Sequence, residues 1–159
     1  MILFLMKSKI TLIIPVFNES AQIKNFFTEL EYCDFNKINE IIFVDDCSSD
    51  NSIDLLSQNI DKFKENNFKV NIFLINNLKN RGYGFSIKKG VFESSNDTIA
   101  IIDLDSTYKI DDLNTLSKMF IDDYNLKYDL IAGQRNINSK NTSQLKKLGK
   151  KIINLIANF

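Results

Sequence analysis

Short apolar runs alternate along this chain with stretches in which apolar residues recur every three or four positions. The runs are rich in β-branched and aromatic residues, a pattern typical of strands buried on both faces of a parallel sheet. They predict strands at residues 9–17, 40–45, 69–75, 98–104 and 128–132. The intervening stretches predict amphipathic helices over residues 20–30, 53–63, 85–93 and 113–120.

This alternation of strand and helix defines the expected fold class. Successive βαβ units with right-handed crossovers build a parallel sheet that carries helices on both faces. We therefore expect an α/β, Rossmann-like fold with a mainly parallel sheet. The sequence contains no internal repeat, low-complexity tract or linker, so residues 1–159 are predicted to form a single domain. Ser20 is the expected N-cap of the first helix.

The last twenty residues differ from the rest in being basic and amphipathic. Five lysines occur there without an acidic residue, and an apolar stripe runs between them up to Phe159. The lysines are Lys140, Lys146, Lys147, Lys150 and Lys151. Such a segment can lie on an anionic membrane surface, but packing on the domain or on a partner chain is the favoured interpretation. Because the pattern stops without a C-cap, further protein is expected to follow.

Composition excludes several classes of function. Lys+Arg and Asp+Glu both number 20 in the 159 residues, and this neutrality argues against a nucleic-acid partner. The absence of histidine excludes Ser-His-Asp and Cys-His catalysis. Cys33 and Cys47 are too few for a zinc cluster; they are expected to be buried and favour a reducing, cytoplasmic setting. The apolar residues 1–6 are too short for a signal peptide or a membrane span.

Candidate chemistry is concentrated where four of the predicted strands end. Polar clusters follow these strands at residues 15–19, 45–50, 80–84 and 103–105. In an open α/β sheet, ligands bind beyond the carboxyl ends of the strands. The four clusters are therefore expected to meet in one site.

Asp103 and Asp105 are the candidate metal ligands. They stand two residues apart at a strand end, where both carboxylates can turn toward one ion. Hard oxygen ligands of this kind suit Mg²⁺ or Mn²⁺, which commonly bridges carboxylates to substrate phosphates. The structural alternative is a solvated turn.

The clusters at residues 80–84 and 45–50 fit a nucleoside diphosphate. Backbone N–H groups near Gly82 and Gly84, together with the Arg81 guanidinium, would favour phosphate oxygens at a helix N-terminus, although two glycines can also mark a plain turn. Lys88 and Lys89 follow one helical turn later and can be ordinary surface residues.

In the cluster at residues 45–50, Asp45 or Asp46 can accept a hydrogen bond from a nucleobase or a ribose hydroxyl, and Phe17 can provide a flat apolar wall for the base. The alternative for this last cluster is N-capping of the following helix by Ser49 or Asp50.

The motifs PVFNE, VDDCSSD, NRGYGFSIKKG, DLD and GQR, in this order, resemble the nucleotide-binding half of family 2 glycosyltransferases with the GT-A fold. The resemblance spans residues 9–158 and is strongest to dolichyl-phosphate mannose synthases and related polyprenyl-phosphate glycosyltransferases. It implies a metal-dependent, inverting transferase of glycan or cell-envelope biosynthesis. The donor would be a UDP- or GDP-sugar, and the acceptor a lipid phosphate or a glycan hydroxyl. A position at the cytoplasmic face of the membrane is compatible with this chemistry.

The resemblance also implies roles for individual residues. The nucleoside would be held by Pro15, Phe17, Glu19 and Asp46, with Asp45 a weaker candidate, and Arg81 and Gly82 would lie near the phosphates. Asp103 and Asp105 would be the DxD pair that positions ribose and metal, with Asp105 counted as catalytic. Arg135, the second catalytic candidate, would contact the acceptor or the donor diphosphate.

Two departures from the family pattern stand out. Thr107 occupies a position where relatives near the mannose synthases often carry a glutamine metal ligand, and it can ligate only through a neutral hydroxyl. Family members also usually continue with acceptor-binding elements that are missing from these residues. The chain can therefore be a nucleotide-sugar-binding module or subunit that is inactive alone.

A lesser alternative comes from residues 103–107, which fit the DxDxT motif of haloacid-dehalogenase-like phosphatases. In that reaction Asp103 would be a nucleophile. That motif normally opens its domain, and too little chain follows it here.

Overall fold

The computed structural model describes residues 9–67, 69–105, 109–121 and 129–133 of the chain. Strands and helices alternate throughout these residues. The elements are β1 (Ile10–Val16), α1 (Ile23–Leu30), β2 (Ile38–Asp45), α2 (Ser52–Asn66), β3 (Asn71–Asn76), α3 (Tyr83–Glu93), β4 (Thr98–Ile101) and α4 (Ile110–Ile121).

The strands form one parallel sheet in the order β3-β2-β1-β4. All seven residues of β1 are buried, because this strand has a partner on each side and helices above and below. The register aligns Val16 with Asp45 and Asp45 with Asn76, so three strands end together at one edge. The predicted α/β fold with a parallel sheet is thereby confirmed.

Helices cover both faces of the sheet, as predicted. One face packs on the apolar sides of α1 and α2 and on Ile110 and Leu113 of α4. The other face presents a smaller apolar cluster of Ile13, Ile42 and Val44, on which α3 lies with its Gly90 against Ile13.

Four local predictions are wrong. β4 ends at Ile101 rather than at residue 104, and residues 129–132 form no strand. Ser20 is not the N-cap of α1, which begins after Gln22. Cys33 is buried as expected, whereas Cys47 is exposed because it occupies a turn with φ 61° that directs it outward.

Gly90 provides a test of how tightly α3 packs on the sheet. A Cβ at this position would lie 2.6 Å from Cγ2 of buried Ile13, a β-branched side chain that cannot swing away. We expect Gly90→Ala to lower the free energy of unfolding by about 1–3 kcal/mol, since overpacking outweighs the helix propensity that alanine adds. Urea denaturation measures this difference.

The matched control is Gly84→Ala in the same helix. A Cβ there meets nothing within 4 Å, so this variant should be as stable as the wild type or gain up to about 1 kcal/mol. Equal stability of the two variants would contradict the described contact between α3 and β1.

Candidate functional site

A cleft of about 320 Å³ opens at the carboxyl ends of the strands. The four polar clusters recognised in the sequence all contribute to it, since their loops leave the sheet at the same edge. Its lining comprises Pro15, Val16, Phe17, Glu19, Asp46, Asn80, Gly82, Tyr83, Ser86, Asp103, Leu104 and Asp105. The structure thus brings together residues that lie up to 90 positions apart in sequence.

Asp46 is the buried anchor of this cleft, with 3% of its surface exposed. Its carboxylate accepts hydrogen bonds from the Asn77 amide at 2.8 Å, the Arg81 N–H at 3.0 Å and the Gly82 N–H at 2.6 Å. Burial by itself raises the pKa of Asp46, but these donors outweigh it and hold the pKa below its ordinary value. The loop before α3 is therefore fastened to the end of β2.

This contact changes how the loop can meet an anion. The amides of Arg81 and Gly82 were candidates for phosphate binding, but they point at Asp46 instead. Gly82 has φ 86°, a left-handed backbone that glycine adopts without strain. The Arg81 guanidinium lies 3.9 Å from the centroid of the Phe85 ring, beside the N-terminus of α3. The groups of this loop that are left to attract an anion are therefore the Arg81 guanidinium and the N-terminal end of the α3 dipole.

A second polar network supports Asp46 from behind. Asn77 is buried, and its amide nitrogen donates to Asp46 and, at 3.3 Å, to Ser86 Oγ. Lys89 Nζ donates to Asn77 Oδ1 at 3.1 Å, which fixes the orientation of the amide. Lys89 is thus part of the support of the site rather than an ordinary surface residue.

Acidic residues crowd the opposite wall of the cleft. Asp103 is partly buried and Asp105 is exposed just beyond β4. Burial, followed by the negative charges of Asp105, Asp50 and Asp103, raises the pKa of Glu19. Within the described part of the chain, no group of three or more acidic or cysteine side chains is arranged to hold a metal ion. Asp103 and Asp105 are therefore two carboxylates without a third acidic or cysteine side chain arranged around a common point in the described residues.

Tyr83 lies within the cluster at residues 80–84, but the sequence predicts no role for its side chain. Its hydroxyl donates to Asp103 Oδ1 at 2.8 Å and joins the start of α3 to the loop after β4. The only sequence signal is an aromatic residue between the two glycines of the loop, which does not identify its partner 20 residues later.

Side-chain hydrogen bonds also link the loops after β1 and β2, and we call these contacts between residues 18–20 and 48–52 the brace. Asn18 Oδ1 accepts from the Ser49 N–H at 2.8 Å, and the Asn18 N–H donates to Ser48 Oγ at 2.9 Å. The Asp45 side chain is directed toward Ser48 of the brace. Its buried carboxylate accepts from the Ser48 hydroxyl at 2.5 Å and from the Ser48 N–H at 3.0 Å. Asp45 is not among the residues that line the cleft.

Asp50 completes the brace at the start of α2. Asn51 rather than Ser49 or Asp50 is the N-cap, but Asp50 accepts from the Ser52 N–H at 3.0 Å and from the Ser20 N–H at 3.1 Å. Burial by itself raises the pKa of Asp50, and the hydrogen bonds from Ser52 and Ser20 overcome this and lower it to about 2.

This shift predicts a contribution to acid stability. Because the pKa of Asp50 falls from 3.8 to about 2 on folding, its stabilisation is complete above about pH 5 and is lost as the pH falls toward 2. After allowance for solvent screening, it amounts to about 1–2 kcal/mol. We expect Asp50→Asn to show a smaller loss of unfolding free energy between pH 4 and pH 2 in urea titrations. Equal losses in the two proteins would show that Asp50 carries no such shift.

The remaining predicted residues divide into two groups. Pro15 and Phe17 line the cleft, and the Phe17 side chain is 47% exposed at its mouth. Arg135, Thr107 and the basic segment 140–159 lie outside the described residues. Among the helices that the structure does describe, none is both long and apolar enough to cross a bilayer.

Solved structures with the same architecture identify the class of fold. A mannosyltransferase, PcManGT from Pyrobaculum calidifontis, solved with GDP-Man and Mn²⁺, has a TM-score of 0.59 and 19% identity; the match covers 74% of this chain and 33% of that one. S. aureus TarS 1-349 in complex with UDP-GlcNAc has a TM-score of 0.56 and 19% identity. This match covers 70% of this chain and 31% of that one. The chain has the GT-A fold, a Rossmann-like parallel sheet, and its cleft lies at the carboxyl edge.

The family follows from the sequence match. The model for glycosyl transferase family 2 matches residues 11–157, and the chain belongs to this family. The resemblance inferred from the five motifs is therefore confirmed, and it displaces the phosphatase alternative.

Two curated relatives come from Trichomonas vaginalis. Dolichyl-phosphate beta-glucosyltransferase ALG5D is 25% identical over 157 residues, which are 92% of this chain and 45% of the relative. Dolichyl-phosphate beta-glucosyltransferase ALG5C is 30% identical over 115 residues, which are 68% of this chain and 32% of the relative. The chain thus spans less than half the length of these relatives.

Proposed function

We propose that residues 1–159 form a nucleotide-sugar-binding domain that serves the donor side of an inverting glycosyl transfer. The observation that carries this proposal is the meeting of all four motif clusters in one cleft at the carboxyl edge of the sheet. Complexes of the structural neighbours with GDP-Man or UDP-GlcNAc support a UDP- or GDP-sugar as the ligand.

The nucleoside would lie against the β1 and β2 side of the cleft. Pro15 and Phe17 supply an apolar wall there, and Asp46 supplies an acceptor. Three N–H groups already donate to the Asp46 carboxylate, and the Arg81 N–H is shared between Oδ1 at 3.0 Å and Oδ2 at 3.1 Å. A nucleobase N–H would therefore replace one arm of this shared bond, since a carboxylate has about four acceptor positions.

The diphosphate and the metal would lie toward α3 and β4. Arg81, at the N-terminus of α3, would face the phosphates. Asp103 and Asp105 would hold Mg²⁺ or Mn²⁺. Burial raises the pKa of Glu19, and the negative charges of Asp105, Asp50 and Asp103 raise it further, which supports a cation at this wall. Such an ion, when bound, neutralises charge on the departing diphosphate. Tyr83 would keep the Asp103 carboxylate in a fixed orientation.

In the reaction, an acceptor oxygen would form a bond to the anomeric carbon from the face opposite the diphosphate, which leaves as the nucleoside diphosphate. Relatives described as dolichyl-phosphate glucosyltransferases favour a polyprenyl phosphate over a glycan hydroxyl. Its oxygen is already anionic, so no general base is needed. The exposed acids in the first turn of α4, Asp111 and Asp112, are then not required as bases. Their position at the helix N-terminus is explained by favourable interaction with the helix dipole. Arg135 remains the candidate contact to the acceptor or diphosphate.

A second candidate function is a binding module without transfer activity of its own. The four clusters that meet in the cleft are those expected on the donor side, and they support this candidate as well. In this case the acceptor would be bound by further protein or by a partner chain, at the cytoplasmic face of the membrane.

A transfer assay separates the two candidates. The chain is incubated with Mn²⁺, a radiolabelled UDP- or GDP-sugar and a polyprenyl phosphate, and lipid-linked and free sugar are measured. Labelled lipid supports the transferase, and donor binding without either product supports the module. Absence of both binding and product would refute the proposed donor site.

A further inference from the structure

We propose that Asn18 is a positioning residue that holds the cleft wall formed by Phe17 and Glu19 in its nucleotide-binding shape. This inference rests on the proposed function, because the wall matters only if the cleft takes a nucleotide. None of the roles described so far involves the Asn18 side chain.

Asn18 lies where the sheet can no longer support the loop after β1. The ladder between β1 and β2 ends at Val16 and Asp45, followed by a single bond from the Asp46 N–H to the Val16 carbonyl at 2.8 Å. Beyond that point, side chains replace the ladder. Asn18 Oδ1 accepts from the Ser49 N–H at 2.8 Å and, more weakly, from the Asp50 N–H and the Ser49 hydroxyl, both at 3.3 Å.

Both neighbours of Asn18 line the cleft. Phe17 precedes it with its ring half exposed, and Glu19 follows with its N–H bonded to Ser52 Oγ at 2.9 Å. Asn18 is therefore the central link between the wall of the cleft and the start of α2.

The backbone of Asn18 explains why this residue type is suited to the task. Its φ is 56°, in the left-handed region that few residues other than glycine and asparagine enter readily. Glycine would fit this backbone but has no acceptor for the Ser49 N–H. Only asparagine and aspartate combine tolerance of this conformation with a side-chain oxygen at the correct distance.

Loss of the acceptor should weaken nucleotide binding more than folding. The donors on Ser49 and Asp50 are near solvent and can turn to water. The loop would then have to be ordered by the ligand, and ordering even one residue on binding corresponds to roughly a tenfold loss of affinity.

The test compares Asn18→Gly, Asn18→Asp and Cys47→Gly with the wild type. Asn18→Gly keeps the backbone and removes the acceptor, whereas Asn18→Asp keeps both. Cys47→Gly is the matched control: it changes another left-handed residue of the same loops, φ 61°, whose side chain is exposed and forms no bond of the brace. The readouts are the Kd for UDP and GDP with Mn²⁺, amide hydrogen exchange at Ser49 and Asp50, and Tm.

We expect Asn18→Gly to raise the Kd of the preferred nucleotide about tenfold and to accelerate exchange at both amides, with Tm lowered by only a few degrees. Asn18→Asp and Cys47→Gly should stay within about threefold of the wild-type Kd. An unchanged Kd in Asn18→Gly, or an equal loss in Cys47→Gly, overturns the role of Asn18 while leaving the proposed function intact. Failure of the wild type to bind either nucleotide overturns the proposed function itself, and the positioning role with it.

Discussion

Replacement of Asp46 by asparagine is expected to abolish measurable nucleotide binding and to lower the free energy of unfolding by about 2–3 kcal/mol. Asp46 is buried and accepts from Asn77, Arg81 and Gly82. An asparagine amide would present N–H groups to at least one of these donors, and a buried donor left without an acceptor costs about 1–3 kcal/mol. The loop before α3 would detach from β2, and the nucleobase would lose the charged carboxylate as its acceptor.

Calorimetry for binding and urea denaturation for stability measure both effects. Asp61→Asn is the matched control, because it makes the same chemical change on an exposed position of α2. It should alter stability by no more than about 0.5 kcal/mol and leave the Kd unchanged. An Asp46→Asn protein with wild-type affinity and stability would contradict both roles given to this carboxylate.

Replacement of Asp105 by asparagine is expected to remove the metal-dependent part of nucleotide affinity, at least about tenfold, without loss of stability. Asp105 is exposed at the cleft, and its negative charge repels that of Glu19, so removal of this charge should not lower the free energy of unfolding. A neutral amide is a much poorer ligand for Mg²⁺ or Mn²⁺ than a carboxylate. Titration of UDP and GDP with Mn²⁺ and with EDTA, in the wild type and the variant, measures the difference.

The control for Asp105 lies at the other end of the same strand. Asp97 is an exposed aspartate directly before β4, and Asp97→Asn should bind nucleotide as the wild type does. If Asp105→Asn kept the full difference between Mn²⁺ and EDTA, Asp105 would not be a metal ligand.

Apolar pattern alone predicts the central strands well but not the end of β4. Ile102 and Leu104 extend the apolar pattern and are indeed buried in the main core. However, the ladder between β4 and β1 runs only from Thr98 to Ile101, followed by a single bond from the Ile102 N–H to the Ile13 carbonyl at 3.3 Å. In the sequence, apolar residues that stay buried after the ladder has ended look the same as a strand.

The members of the site are largely predictable because each follows a strand end, and parallel strands end at one edge. The hydrogen-bond partners of these residues are not predictable from the sequence. The bonds from Tyr83 to Asp103 and from Ser49 to Asn18 join residues 20 and 31 positions apart, and no local pattern encodes them. The use of the Arg81 and Gly82 amides by Asp46 likewise depends on how two loops meet, 35 and 36 positions apart.

The most direct test of the central claim is calorimetric titration of the chain with UDP and GDP in the presence of Mn²⁺ and again in EDTA. A donor site built from Asp46, Arg81 and the Asp103–Asp105 pair predicts saturable binding of one of the two nucleotides that weakens at least about tenfold in EDTA. The absence of binding to either nucleotide, or binding that is equally strong without the metal, would contradict it.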